Sequence, residues 1–288
     1  MDRTKIIACL SALLLASCGG PPRIVVGSKN FTEQVVLGEI LAQQIERRLH
    51  FTVDRKLNLG GTLLAHEALV QGSIDLYPEY TGTALTAVLK RPPASDAAAV
   101  LATVRGAYEA QWKLAWLAPL GFNNTFAMIV RGDDARKKNL ATLSDAAHAG
   151  PWRLGVGYEF EQRPDGLPGL LKTYGLPSAG DPVTMDLGLL YSALDSGKVD
   201  MIAANSTDGP ASVRDVKILA DDRHYFPPYD CAVVVREESL LHYPGLRAAL
   251  ESLSGKLSEE TMRRLNQQVD GERLPVAKVA TQFLDAMR

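Results

Sequence analysis

The stretch DLYPEYTGT, residues 75–83, sets Tyr77 and Tyr80 within four positions of each other in a chain that is only 7% aromatic. Pro78 cannot donate to a ladder, and Thr81-Gly82-Thr83 is turn chemistry, so the stretch reads as a strand end opening into a loop or helix rather than as a buried strand. Its rings and hydroxyls are set to meet a ligand. Materials for catalysis are scarcer. His50, His66, His148, His224 and His242 form no metal-ligand spacing, RLGVGYEF at 153–160 lacks the third glycine of a dinucleotide loop, and no phosphate-cradling G-x-x-x-x-G-K-[ST] occurs. Ser28 and Lys29 stand near Glu33, but adjacent strand residues face opposite ways, which separates a nucleophile from its base. The expectation is a binding protein, not an enzyme, with no catalytic residue, metal or cofactor.

The elements that would position such a strand end need room, and 288 residues suit two domains of ordinary size. With 31 Lys+Arg against 33 Asp+Glu the net charge is -2, without the basic excess of nucleic-acid binders, so nucleic acid is not expected as a partner. Arg3 and Lys5 precede an apolar run at 6–16 that ends in LASC, residues 15–18. That is a secretory leader, too short to span a bilayer. A cysteine after two small residues resembles the bacterial lipoprotein cleavage box, which makes residues 1–17 the signal peptide, Cys18 the acylated first residue and 18–22 a lipidated tether; a plain signal peptide cut nearby is the alternative. Acyl chains contribute about 0.8 kcal/mol per buried CH2, enough together to hold the chain at the outer face of a membrane or in the periplasm. Cys9 falls in the leader, so Cys231 is left alone in DCAVVVR, a buried apolar residue with no disulfide partner.

RIVVG at 23–27 reads as a strand, and Val35, Val36, Ile40, Leu41 and Ile45 recur at helical spacing, with Asn30 and Glu33 as a capping-box start. FTVDRKL (51–57), TLLAHEALVQ (62–71) and IDLY (74–77) then give strand, helix, strand. A second series has helices at 140–149 and 167–175, with strands in WRLGVGY (152–158) and KVDMIAAN (198–205). Alternating strands and helices argue for α/β layers. ALVQGSIDL (68–76) and ALDSGKVDM (193–201) share the pattern A-L-x-x-G-x-[IV]-D-[LM], a helix, a glycine cap and a buried strand; a common helix-turn-strand unit recurring by chance would give the same string. Extended without gaps, the echo sets Tyr80-Thr81 opposite Asn205-Ser206, at strand ends facing one cleft. TFAMIVR (125–131) and YDCAVVVR (229–236) are hinge-strand candidates. Helices at 244–257 and 259–269 return to the first lobe, giving lobe 1 as 23–127 and 228–288 and lobe 2 as 128–227.

GSKNFTEQ (27–34), LNLGGT (57–62), DLYPEYTGT, GFNNTFA (121–127), STDG (206–209) and DDRHYFPPYD (221–230) together resemble the substrate-binding proteins of osmoprotectant ABC importers for glycine betaine, choline and carnitine. The resemblance covers nearly all of the chain after the tether. It implies a two-lobe periplasmic-binding-protein fold, type II-like, with the ligand cleft between lobes joined by two hinge strands. It also implies a monomer that delivers a quaternary-ammonium solute to an ABC permease with its ATPase subunits. A trimethylammonium group has no hydrogen-bond donor, so ring faces must hold it, each worth roughly 0.5 to 2 kcal/mol. Carried over by position, the box falls on Tyr80, Phe126, Asn205 and Tyr229, and the ligand carboxylate on Arg163 in EFEQRPDG, supported by Lys29 and Thr83. Phe126 and Asn205 depart from the family's tyrosine. Phe126 keeps a ring without its hydroxyl; Asn205 has an amide, which opens the wall to a bulkier betaine such as carnitine or one of histidine type. The plainer readings are wall tyrosines at 80 and 229, surface charges at 29 and 163, hinge packing at 126 and a turn residue at 205. Tyr77 reads as structural. A two-lobe ligand-sensing lipoprotein that serves no permease is the alternative function.

Overall fold

A computed structural model of the chain describes residues 23–287; the leader, the tether and Cys18 lie outside the described residues. The β-branched and aliphatic runs form ten strands among these residues: β1 Arg23–Gly27, β2 Thr52–Lys56, β3 Leu76–Tyr80, β4 Leu114–Trp116, β5 Phe126–Arg131, β6 Leu154–Val156, β7 Val183–Thr184, β8 Met201–Asn205, β9 Val216–Ile218 and β10 Cys231–Arg236. They make two five-stranded sheets, ordered β2-β1-β3-β10-β4 and β7-β6-β8-β5-β9. In each sheet three parallel strands are followed by an antiparallel one, β10 or β5, that the chain enters on crossing from the other lobe. The two crossing segments pair with each other at Asn123 and Asp230. This is the two-lobe α/β arrangement expected, with Phe126 and Ala127 already paired into the second sheet.

Each sheet is covered on both faces. In the first lobe the helix Thr32–Leu49 buries Val36, Leu37, Ile40, Leu41 and Ile45 against β1 and against Val279 and Phe283 of the helix Val276–Ala286. The other face carries Tyr77 and Trp116 under the helices Thr62–Val70 and Ala97–Trp112, the second of which sets Tyr108 edge-on to Trp116. Trp152, Leu154, Phe160 and Leu170 fill one face of the second sheet, and Ile129, Leu190, Leu194 and Ile202 the other. Burial of such side chains, roughly 1.5 to 3 kcal/mol each, is the main force holding each lobe. No helix among the described residues is long and apolar enough to cross a membrane.

The echo in the sequence is a structural repeat. Helices Thr62–Val70 and Leu190–Asp195 both end at a left-handed glycine, Gly72 (φ 73°) and Gly197 (φ 71°), where an L side chain would be strained. Ser73 and Ile74 donate their amides to the Ala68 carbonyl just as Lys198 and Val199 donate to that of Ala193. Asp75 accepts the Val25 amide at 2.7 Å and Asp200 that of Arg153 at 3.3 Å. Arg236 and Arg131, at the far ends of β10 and β5, donate to carbonyls near the ends of those same helices, Arg236 to Leu69 and Val70 and Arg131 to Leu194, with Val199 beyond the turn as its second acceptor. Tyr80 and Asn205 are therefore equivalent strand ends.

Two local expectations are overturned. Leu76–Tyr80 is a buried strand despite Pro78. Arg236 donates to the Asp75 carbonyl and Thr81 to that of Asp230, so the alternation turns the Pro78 nitrogen away from β10 and toward β1. On that side β1 pairs with β3 only at Leu76, and no ladder bond is lost. The first helix has Phe31 as its N-cap, with no side-chain cap, because the Glu33 carboxylate is drawn to donors elsewhere instead of folding back to Asn30.

Asp75 holds β1 and β10's following helix together, accepting the Val25 amide and, at 2.6 Å, the Ser239 hydroxyl. Asp75→Ala leaves both donors unpartnered and should lower unfolding stability by about 1 to 3 kcal/mol in urea titrations; an unchanged midpoint would mean these bonds carry no stability.

Candidate functional site

Tyr80 ends β3, Asn205 ends β8, Phe126 opens β5 and Tyr229 stands just before β10, so strand ends from both sheets converge on one cleft. Its volume is about 880 Å³, and Lys29, Tyr80, Thr83, Phe126, Arg163, Asn205 and Tyr229 all line it. A groove of about 590 Å³ beside Trp112, Arg236 and Leu241 lies at the opposite end of β10, away from these strand ends.

Arg163 is 8% exposed and grips Asp165 through Nε to Oδ1 at 2.9 Å and Nη2 to Oδ2 at 2.5 Å. The first lobe clasps this second-lobe pair: Thr86 and Tyr229 donate their hydroxyls to Asp165 at 2.8 and 2.6 Å, and Arg163 Nη1 donates to Thr83 Oγ1 at 3.3 Å. Burial pushes the Asp165 carboxyl up, but the Arg163 fork and charge, with the Tyr229 and Thr86 bonds, outweigh it and hold the group below its ordinary range. The guanidinium also lies 5.0 Å from the Phe126 ring centre and 6.0 Å from that of Tyr229. Phe126 meets Phe160 and Tyr229 edge-on at 4.8 and 5.6 Å, which fixes the rings relative to each other.

Lys29 is as deeply engaged, with Nζ 2.5 Å from Glu79 Oε1, 3.2 Å from Thr62 Oγ1 and 5.1 Å from the Tyr80 ring centre. Both cations expected for a ligand carboxylate are thus already paired. Between them lies a carboxylate of the chain itself. Glu159, from the second lobe, accepts the Thr62 amide at 2.5 Å and its hydroxyl at 3.0 Å, and stands 3.7 Å from Arg163 Nη1. It sits at the N-terminus of the helix Thr62–Val70, where backbone amides and the helix dipole favour an anion. The surroundings there are those of a carboxylate site.

Tyr80 stacks on Phe31, with ring centres 6.3 Å apart at 24°, and donates its hydroxyl to Glu33 at 2.6 Å. Glu33 also accepts from Asn124 at 2.8 Å, Thr207 at 2.5 Å and Asn266 at 3.1 Å. Burial raises its pKa against the pull of these four bonds. Asn205 both lines the cleft and forms a turn, its amide and side chain donating to Asp208 at 3.2 and 3.4 Å. Burial, reinforced by the Glu33 and Asp270 charges and opposed by the Asn205 bonds, pushes Asp208 up to about 7. Tyr77 lies fully buried with its hydroxyl on Glu79 at 3.0 Å and does not line the cleft. Cys231 is fully buried and free.

Sequence reasoning missed Phe31, Glu33, Glu159, Phe160 and Asp165. Phe31 and Glu33 lie inside GSKNFTEQ, and Glu159, Phe160 and Asp165 flank Arg163 in EFEQRPDG, so the motifs pointed to the right segments without saying which side chains turn inward.

A family model described as the substrate binding domain of ABC-type glycine betaine transport system matches residues 22–286. A Helicobacter pylori protein named ergothioneine transport permease/ergothioneine binding protein EgtU is 36% identical over 92% of this chain, which spans only 47% of that protein's length. The carnitine transport binding protein OpuCC of Listeria monocytogenes is 33% identical over 97% of this chain and 94% of its own. A crystal structure of a glycine betaine/carnitine/choline ABC transporter is similar at a TM-score of 0.77 and 32% identity, covering 91% of this chain and 98% of that one. The chain belongs to the family of substrate-binding domains of ABC-type glycine betaine transport systems.

Proposed function

We propose that this chain captures a quaternary-ammonium compound carrying a carboxylate and delivers it to an ABC permease driven by ATPase subunits. It acts as a monomer outside the cytoplasm, held to the membrane by lipid on Cys18, and does no chemistry on its cargo. The observation that carries this reading is that Tyr80, Phe126 and Tyr229 line one cleft with Lys29 and Arg163, beside the Thr62 and Arg163 donors that meet the Glu159 carboxylate. Ring faces suit the methylated cation and the donors suit the anion. Lys29, Thr83 and Arg163 would meet the ligand carboxylate as Glu159 gives way, and Asn205 would stand where a fourth ring is missing.

A ligand larger than glycine betaine is favoured by the cleft's volume of about 880 Å³ and by the amide at Asn205. The relatives named for carnitine and ergothioneine carry such ligands in their names, which agrees with this reading. A sensor would bind the same solutes. Uptake of labelled carnitine or glycine betaine by cells lacking the chain separates the two: lost uptake supports delivery, and normal uptake supports sensing.

Calorimetry is expected to find that Arg163→Ala weakens glycine betaine or carnitine by about 2 to 5 kcal/mol and choline, which has no carboxylate, far less. Equal losses would mean that Arg163 only clasps Asp165. Asn205→Tyr should tighten small betaines by roughly twofold to thirtyfold, the worth of one ring, while excluding bulkier ones; unchanged affinities throughout would put the side chain outside the ligand's reach. Cys18→Ser should abolish incorporation of labelled palmitate and release the chain from membranes, and continued membrane retention would contradict the anchor.

A further inference from the structure

Lys29 and Arg163, the two cations at the carboxylate end of the cleft, are each matched by a buried carboxylate, Glu79 and Asp165. Glu33 is not matched. It is 2% exposed, it lines the cleft, and among the described residues it forms no salt bridge. Its partners are all neutral donors: the hydroxyls of Tyr80 and Thr207 and the amide nitrogens of Asn124 and Asn266. The Asn124 and Asn266 nitrogens can only donate, one to each carboxylate oxygen, and each oxygen also meets one hydroxyl, an arrangement that favours the ionised form against the burial that raises its pKa. A buried charge held by neutral dipoles alone still lacks a counter-charge.

Two more groups share that excess of negative character. Asn124 and Asn266 turn their amide nitrogens to Glu33, which leaves both Oδ1 atoms buried without a donor. Both residues line the cleft and are 7% and 2% exposed. Methyl groups on a quaternary nitrogen carry its positive charge and meet oxygen through C–H contacts, needing no hydrogen-bond acceptor geometry of their own. The Tyr80 hydroxyl, bonded to the carboxylate, adds electron density to a ring that also faces the cleft.

We infer that Glu33 is the counter-charge for the ligand's quaternary ammonium group, and so sets the preference for a cation over a neutral group of the same shape. The inference rests on the functional reading above and deepens it. Two roles for Glu33 differ in their consequences, because Thr207 belongs to the second lobe while Tyr80, Asn124 and Asn266 belong to the first. A latch between lobes would affect all ligands alike. A counter-charge affects only cations.

The test compares glycine betaine with 3,3-dimethylbutanoate, and choline with 3,3-dimethylbutanol, each isostere replacing the charged trimethylammonium group by an uncharged tert-butyl group and leaving the rest of the molecule unchanged. Titration calorimetry on the wild type is expected to favour the cation in each pair. Glu33→Gln should shrink that preference by roughly tenfold to a hundredfold, the scale of two charges about 6 Å apart at a protein's effective dielectric. Thr207→Val, which removes the second-lobe bond and keeps the charge, should weaken both members of a pair by the same factor. The double variant Glu33→Gln with Asn266→Asp moves the charge to a neighbour, gives the new amide an acceptor and should restore the preference; it also serves if Glu33→Gln alone does not fold. Equal losses for cation and isostere in Glu33→Gln, an unchanged preference, or a folded double variant without preference would each overturn the counter-charge. Failure of the wild type to bind glycine betaine, choline and carnitine alike would instead overturn the functional reading itself.

Discussion

A charge taken out of water must be compensated, and the cleft is organised around the carboxylates that meet this demand. Glu79 is answered by Lys29, and Asp165 by Arg163 and two first-lobe hydroxyls. Glu33 has only neutral donors. Several bonds around these carboxylates run between lobes: Thr207 to Glu33, Tyr229 and Thr86 to Asp165, Thr62 to Glu159, and beside them Arg163 to Thr83. The interactions that hold the lobes together are therefore the ones that give the cleft its polarity. A ligand touching both walls changes the balance of the same contacts, which is the condition for binding to shift a two-lobe equilibrium.

The repeated topology explains why this chemistry gathers in one place. Both sheets present the carboxyl ends of their parallel strands to the crossing segments, and the antiparallel strands β5 and β10 start at those ends. Ligand groups are met there by residues just past a strand, where the backbone is held by Thr81 to Asp230 and Ser206 to Thr125 bonds but the side chains remain free to differ. Tyr80 and Asn205 occupy equivalent positions and have diverged. One supplies a ring tied to Glu33; the other supplies an amide tied to Asp208.

Much of the fold was legible because its signals are local. Gly72 and Gly197 are required by a left-handed turn, and Asp75 and Asp200 accept backbone amides one residue before their strands, so the repeat could be read without a structure. The segments forming the cleft were legible from their motifs, and all seven site residues named from sequence line it. What was illegible depends on partners distant in sequence. Pro78 is tolerated in a buried strand because its nitrogen faces away from β10, on the side where pairing with β1 is confined to Leu76. Glu33 has the spacing of a capping box, yet its donors come from positions 80, 124, 207 and 266. Asp165 lies two residues from Arg163, but the hydroxyls that clasp the pair come from positions 86 and 229. Ala97–Trp112 escaped notice because an alanine-rich helix carries little apolar periodicity.

A crystal structure of the chain with carnitine or glycine betaine bound measures directly where the cation sits. The quaternary nitrogen is expected within about 6 Å of the Tyr80, Phe126 and Tyr229 ring centres, on the side of the cleft that holds Glu33, with the carboxylate toward Thr62 and Arg163. A ligand bound in the reverse sense, with its methyl groups against Arg163 and its carboxylate toward Glu33, would contradict this placement.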